Sequence, residues 1–169
     1  MTNNINWGIL GTGRIARSFA EALSHVDDAK LLAVGSRNKN TATEFADEFN
    51  IENAYSSYGE VCANKDVDVV YIATPHSLHK DNVIMCLEAN KAVLCEKPFT
   101  INASEAETII KLARSKNLFL MEAMWTRYLP ALNKLRELLE EDTIGDVQIM
   151  LAGGAFMPEF DPDFYLFNK

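Results

Sequence analysis

The sequence predicts an α/β fold, a doubly wound parallel sheet followed by the truncated start of a second α/β domain. Three observations carry this expectation. Short apolar runs alternate with segments of helical periodicity as far as about residue 122, the pattern of repeated strand–helix–strand crossovers. A glycine turn, Gly11-Thr12-Gly13, joins the first apolar run to the first helical one. From Pro130 the alternation stops, and one helical segment and one further apolar run follow.

Asn6-Trp7-Gly8-Ile9-Leu10 reads as a buried strand, and Ile15 to Leu23 as a helix with Ile15, Phe19, Ala22 and Leu23 on one face. Leu31 to Val34 is a second strand. Thr41 to Phe49 follows as a helix that aligns Ala42, Phe45, Ala46 and Phe49, with Thr41 as its cap. Asn53-Ala54-Tyr55 makes a weak third strand and Tyr58 to Ala63 a short helix. Val67 to Ala73 is a fourth strand rich in β-branched residues, stopped by Pro75. Leu78 to Ala89 is helical, Ala92 to Cys95 is the fifth strand, and Ala103 to Ser115 is a helix aligning Ala106, Ile109, Ile110 and Ala113. Leu118 to Met121 closes a sixth strand. Right-handed crossovers then place the ligand crevice beyond the strand C-termini.

The expected division is one domain over 1–123 and, over 124–169, a linker helix and the first strand of an incomplete C-terminal domain. In the second part Leu132, Leu135, Leu138 and Leu139 mark an amphipathic helix, Gly145-Asp146 a turn and Val147 to Ala152 a strand. Phe156, Phe160, Phe164, Tyr165 and Phe167 follow in an aromatic tail. One strand with such a tail is not a stable domain, so the chain reads as truncated or as completed by another chain.

The composition, 48% hydrophobic and 24% charged over 169 residues, is that of a soluble globular protein. Acids outnumber bases 24 to 16, a net charge of −8 that argues against a nucleic-acid partner. Met1-Thr2-Asn3-Asn4 opens no signal sequence, and no apolar run approaches the roughly 20 residues of a membrane span, so no membrane partner and a cytoplasmic location are expected. Cys62, Cys86 and Cys95 are odd in number and widely separated. They read as buried small hydrophobes rather than disulfide or zinc partners. His25, His76 and His79 show no metal-ligand grouping.

Four motifs fall at strand ends. Gly11-x-Gly13-x-x-Ala16 has the spacing that cradles a dinucleotide pyrophosphate: Gly11 permits the tight turn, Gly13 lets the backbone approach the phosphates, and Ala16 allows close helix–sheet packing. Thr12, Arg14 and Ile15 complete that turn. Where NAD-selective folds place an acidic residue on the ribose, this chain has Ser36-Arg37, which can donate hydrogen bonds to a 2′-phosphate. NADP is therefore expected over NAD. Ala73-Thr74-Pro75 ends the fourth strand and borders the cofactor, with His79 at the start of the next helix. Glu96-Lys97-Pro98 ends the fifth, where Lys97 could polarise a substrate oxygen or stand merely solvated.

Together Gly11-Thr12-Gly13-Arg14-Ile15-Ala16, Ala73-Thr74-Pro75, Glu96-Lys97-Pro98 and Met121-Glu122-Ala123-Met124-Trp125-Thr126-Arg127 resemble the Gfo/Idh/MocA oxidoreductases, in particular the trans-dihydrodiol dehydrogenase and glucose-fructose oxidoreductase-like branch. The resemblance covers essentially the whole chain. It implies a Rossmann domain followed by a larger α/β domain that covers the active site and often mediates oligomerisation, leaving room for a homo-oligomer. It implies that Lys97 is the catalytic lysine, that Glu96 orients cofactor or substrate groups, and that the peptide before Pro98 is cis. Trp125 and Arg127 would border the nicotinamide and substrate pocket. The implied reaction is hydride transfer between NADP and a CH–OH or carbonyl carbon of a sugar, polyol or cyclic diol. Family sequences continue past a segment like Asp161 to Phe167 into a helix that supplies a Tyr or His acid/base partner, which is not found here. The alternative reading is thus a truncated, non-catalytic dinucleotide-binding module.

Overall fold

The computed structural model describes residues 4–154 together with Phe160 and Pro162. The N-terminal Met1-Thr2-Asn3 and the tail residues Phe156, Phe164, Tyr165 and Phe167 lie outside the described residues, as do Asp161 and Asp163. Six strands, β1 (Ile5–Leu10), β2 (Ala29–Gly35), β3 (Asn53–Tyr55), β4 (Val69–Ile72), β5 (Ala92–Cys95) and β6 (Leu120–Glu122), form one sheet in the order β3-β2-β1-β4-β5-β6. Every pairing is parallel. The strand order reverses between β1 and β4, which makes that junction the switch point where open α/β sheets bind ligands.

Helices α1 (Arg14–Leu23), α2 (Lys39–Phe49), α3 (Tyr58–Ala63), α4 (His79–Glu88) and α5 (Ala103–Lys116) provide the crossovers. Because side chains alternate along a strand, each strand feeds two cores. Ile9, Val34 and Tyr71 pack with Ala16 and Ala20 of α1 and Phe45 and Ala46 of α2. On the other face Leu10, Val70, Ile72 and Cys95 pack with residues of α3, α4 and α5. Burial on both faces is why these strands read as continuous apolar runs.

The doubly wound parallel α/β sheet expected from the sequence is present, with local corrections. The buried face of α1 is Ala16, Ala20 and Leu23, while Ile15 is 44% exposed. Small residues let the helix lie close to the sheet, and that rotates the larger Ile15 outward. The cap of α2 is Asn38, whose side chain accepts from the Asn40 backbone N–H at 2.8 Å; Thr41 lies within the helix. A short 3-10 turn, His76–Leu78, precedes α4. Both α2 and α5 end on an asparagine in the left-handed conformation, Asn50 and Asn117.

The chain divides into two compact units, Met1–Trp125 and Thr126–Lys169. In the second, α6 (Pro130–Glu140) starts with proline at its first position and places Leu132, Leu135 and Leu139 along a partly exposed face. The expected strand at Val147 to Ala152 does not form: these residues pair with no strand among the described residues, and Leu151 is 93% exposed. An apolar run becomes a strand only where a neighbour satisfies its backbone groups. Among the described residues no helix is long and apolar enough to cross a membrane.

Candidate functional site

The C-terminal ends of β1, β2, β4 and β5 carry the motifs, and hydrogen bonds continue the ladders into them. Gly11 N–H donates to Gly35 O at 2.9 Å, Ala73 N–H to Leu10 O at 2.9 Å and Glu96 N–H to Ile72 O at 3.0 Å. Gly11 has φ +101°, and a Cβ there would stand 2.7 Å from the Ala73 carbonyl oxygen. Only glycine fits without strain. Gly13 differs: its φ is −75°, and a Cβ would meet nothing within 4 Å.

Gly13 is also the N-cap of α1 and supplies no side-chain hydrogen bond, so no cap satisfies the free N–H groups of the first turn. Open space in front of an uncapped helix start is what a pyrophosphate needs, and the residues present fit a dinucleotide there. Arg17 braces the turn from behind, with Nη1 donating to Thr12 O at 2.5 Å and Nε pairing with Glu48 at 3.0 Å. Arg14 and Ile15 are exposed beside it.

At the end of β2 the Thr41 hydroxyl donates to Asn38 O at 2.9 Å, which leaves Ser36 Oγ to donate to Thr41 Oγ1 at 2.8 Å. Ser36 Oγ accepts from Asn38 N–H at 3.3 Å. Arg37 is exposed and makes no hydrogen bond or ion pair among the described residues. Ser36 and Arg37 thus stand directly before α2, with no acidic residue in the Ser36-Arg37-Asn38-Lys39 stretch.

Between β4 and β5 the packing is tighter. His79 is fully buried, with Nδ1 2.9 Å from Pro98 O and Nε2 3.0 Å from Thr74 O, so its ring ties the Ala73-Thr74-Pro75 loop to the Glu96-Lys97-Pro98 loop. Thr74 Oγ1 accepts from Asn82 Nδ2 at 2.9 Å. His76 lies edge-on to His79 at 5.6 Å, and burial, then His79 and Lys97, hold its pKa below the usual histidine value, with Glu96 opposing.

Glu96 is buried, and both its oxygens are engaged: Tyr71 Oη–H donates to Oε1 at 2.6 Å and the Lys97 N–H to Oε2 at 3.1 Å. Burial first, and then the Glu96 carboxylate, push the Tyr71 hydroxyl far above its ordinary pKa. The Tyr71 ring stacks on Phe19 of α1 at 3.8 Å between centroids. The Lys97–Pro98 peptide is cis. Lys97 itself is exposed, and its ammonium makes no hydrogen bond or ion pair among the described residues.

The sequence motifs of β1, β2, β4 and β5 therefore share one edge of the sheet. Trp125, 59% exposed, ends the first unit; Arg127 lies in the second, where its carbonyl accepts from Arg136 Nη2 at 2.6 Å. Sequence reasoning missed Tyr71 and Asn82, and quoted Glu122 within the Met121–Arg127 motif without a role; its Oε1 accepts from Phe99 N–H at 3.0 Å. A tyrosine within a buried strand was the available signal, since a buried phenol needs a partner.

Residues 5–124 match the Gfo/Idh/MocA family, described as an oxidoreductase family with an NAD-binding Rossmann fold. The chain belongs to this family. It is 46% identical over 154 residues to trans-1,2-dihydrobenzene-1,2-diol dehydrogenase of Mus musculus, covering 90% of this chain and 46% of that protein. With the Homo sapiens protein of the same name it is 43% identical over 150 residues, 88% and 45% of the two lengths. The chain thus spans about half the length of the curated relatives it matches. Among solved structures, a 3-ketoreductase from Actinomadura kijaniata in complex with NADP and TDP-benzene aligns at 32% identity and TM-score 0.79, over 85% of this chain and 44% of that one.

Proposed function

We propose that the chain binds NADP along this edge and serves an oxidoreductase that moves a hydride between nicotinamide and a CH–OH or carbonyl carbon of a sugar, polyol or cyclic diol. The observation that carries the reading is the uncapped α1 N-terminus behind Gly11 and Gly13, on the same sheet edge as Ser36-Arg37 and Lys97. Gly11, Thr12, Gly13, Arg14 and Ile15 would hold the pyrophosphate, and Ser36 and Arg37 the 2′-phosphate. Ala73, Thr74, Pro75 and Glu96 would border the nicotinamide, with His79 positioning their loops. Trp125, at the end of the first unit, would line the substrate side.

When bound, the nicotinamide supplies the hydride or accepts it. Lys97 donates a hydrogen bond to the reacting oxygen and helps move its proton, while the rigid loops fix its orientation. The dehydrogenase and ketoreductase names of the relatives support this class of reaction. A cytoplasmic location accords with the three free cysteines.

NADPH titration and steady-state turnover on the same preparation test the proposal. Lys97→Ala is expected to lower turnover on the order of 100-fold or more while NADPH affinity stays within about twofold. Undiminished turnover in that variant would refute the role given to Lys97. NADPH binding without turnover in the unsubstituted chain would favour the module reading.

A further inference from the structure

Two of the three cysteines meet in the core on the sheet face opposite α1 and α2. Cys62 of α3 and Cys86 of α4 hold their Sγ atoms 3.5 Å apart, one thiol donating to the other. They are 24 positions apart in sequence, and the α3–β4–α4 crossover brings them together. A disulfide bond is about 2.05 Å long, so a closure of about 1.5 Å separates contact from bond. Cys86 is fully buried, whereas Cys62 keeps 4% of its surface open.

The pair is asymmetric. The hydrogen bond from Cys86 lowers the Cys62 pKa, the nearby Lys91 ammonium adds to this, and burial opposes it. The same hydrogen bond and burial raise Cys86, with the Lys91 ammonium opposing there too. Lys91 is fixed in place by donating to Asn64 O and Val67 O, each at 2.7 Å. Cys62, the residue of the pair that keeps some exposure, is the one placed to act as the attacking thiol, with Cys86 behind it as the resolving thiol. Cys95 lacks these features. Its thiol faces Phe99 O at 3.9 Å, and burial pushes its pKa up to about 12.

We propose that Cys62 and Cys86 form a dithiol–disulfide site that a small peroxide oxidises. The Cys62 thiolate attacks one peroxide oxygen; the O–O bond breaks and hydroxide leaves, to be protonated to water, giving a Cys62 sulfenic acid. Cys86, deprotonated in turn, attacks the Cys62 sulfur; the S–S bond forms, the S–O bond breaks and a second water results. Two thiols lose two protons and two electrons, and one hydrogen peroxide becomes two waters. The bond ties α3 to α4, the helix that opens with His79.

The test exposes the folded 169-residue chain to hydrogen peroxide, unfolds it, alkylates the remaining thiols and maps the products by mass spectrometry. The expected result is a fall from three alkylatable thiols to one, with a crosslinked peptide pair holding Cys62 and Cys86, a higher Tm, and full reversal by dithiothreitol. Cys95→Ser should give the same crosslink, and Cys62→Ser or Cys86→Ser none. Mapping on the unsubstituted chain decides the matter even where a serine variant fails to fold. Three alkylatable thiols after a peroxide dose that oxidises the unfolded chain would overturn the proposal, as would a crosslink that uses Cys95 or joins two chains.

Discussion

Replacing Gly11 and Gly13 separately by alanine should split one motif into two different effects. At Gly11 the residue keeps φ +101°, which costs an L side chain about 1–2 kcal/mol. Its new Cβ would also stand 2.7 Å from a backbone oxygen of Ala73 that cannot swing away, an overpacking cost of about 1–3 kcal/mol. The sum is about 2–5 kcal/mol, or a Tm lower by roughly 4–20 °C. At Gly13 the backbone is ordinary for alanine and the Cβ meets nothing. Loss of glycine at an N-cap, about 0.5 kcal/mol, is offset by a less flexible unfolded chain, so stability should stay within about 0.5 kcal/mol. A methyl group where the pyrophosphate approaches should nevertheless weaken NADPH binding at least about tenfold. Thermal unfolding and fluorescence titration read the two quantities independently. Equal destabilisation by both substitutions, or unchanged NADPH affinity in Gly13→Ala, would refute the reasoning.

Three further outcomes follow from the same geometry. Tyr71→Phe removes one hydroxyl and leaves the buried Glu96 carboxylate short of a partner, a loss of about 1.5–3 kcal/mol in urea unfolding; a change under about 0.5 kcal/mol would mean Glu96 is held elsewhere. Cys95 has a folded-state pKa raised from 9.0 to about 12, so above pH 9 the native state binds more protons than the unfolded chain and stability falls as pH rises. Cys95→Ala should flatten that decline, and an unchanged slope between about pH 9 and about 12 would exclude Cys95 as a source. Arg37→Ala should raise the NADPH dissociation constant roughly 10- to 100-fold and leave NADH unaffected, since only the phosphate contact is lost; parallel losses for both would point to adenine stacking instead.

The alternation of strand and helix was legible because parallel strands buried on both faces must be apolar throughout, as Val70, Tyr71 and Ile72 are. Local signals also located the glycine turn and the strand ends that carry Ser36, Thr74 and Lys97. They misplaced the buried face of α1, because close helix–sheet approach selects Ala16 and Ala20 over the larger Ile15. They gave α2 the wrong cap, since Asn38 and Thr41 are both competent caps and only the chain path chooses between them. The Tyr71–Glu96 and Cys62–Cys86 contacts were hidden for a different reason. Each joins residues 24 or 25 positions apart, and each depends on tertiary packing that no local pattern encodes, such as the β4–β5 register that sets Ile72 beside Cys95. The apolar stretch Val147 to Ala152 shows the converse: its composition is strand-like, but it pairs with no strand among the described residues.

Titrating the unsubstituted chain with NADPH and with NADH, followed by nucleotide fluorescence, probes the glycine turn and Ser36-Arg37 together. Saturable binding of both, with NADPH at least about tenfold tighter, is the expected result. Equal dissociation constants would contradict the phosphate site at Ser36-Arg37, and no saturable binding of either would contradict the dinucleotide site itself.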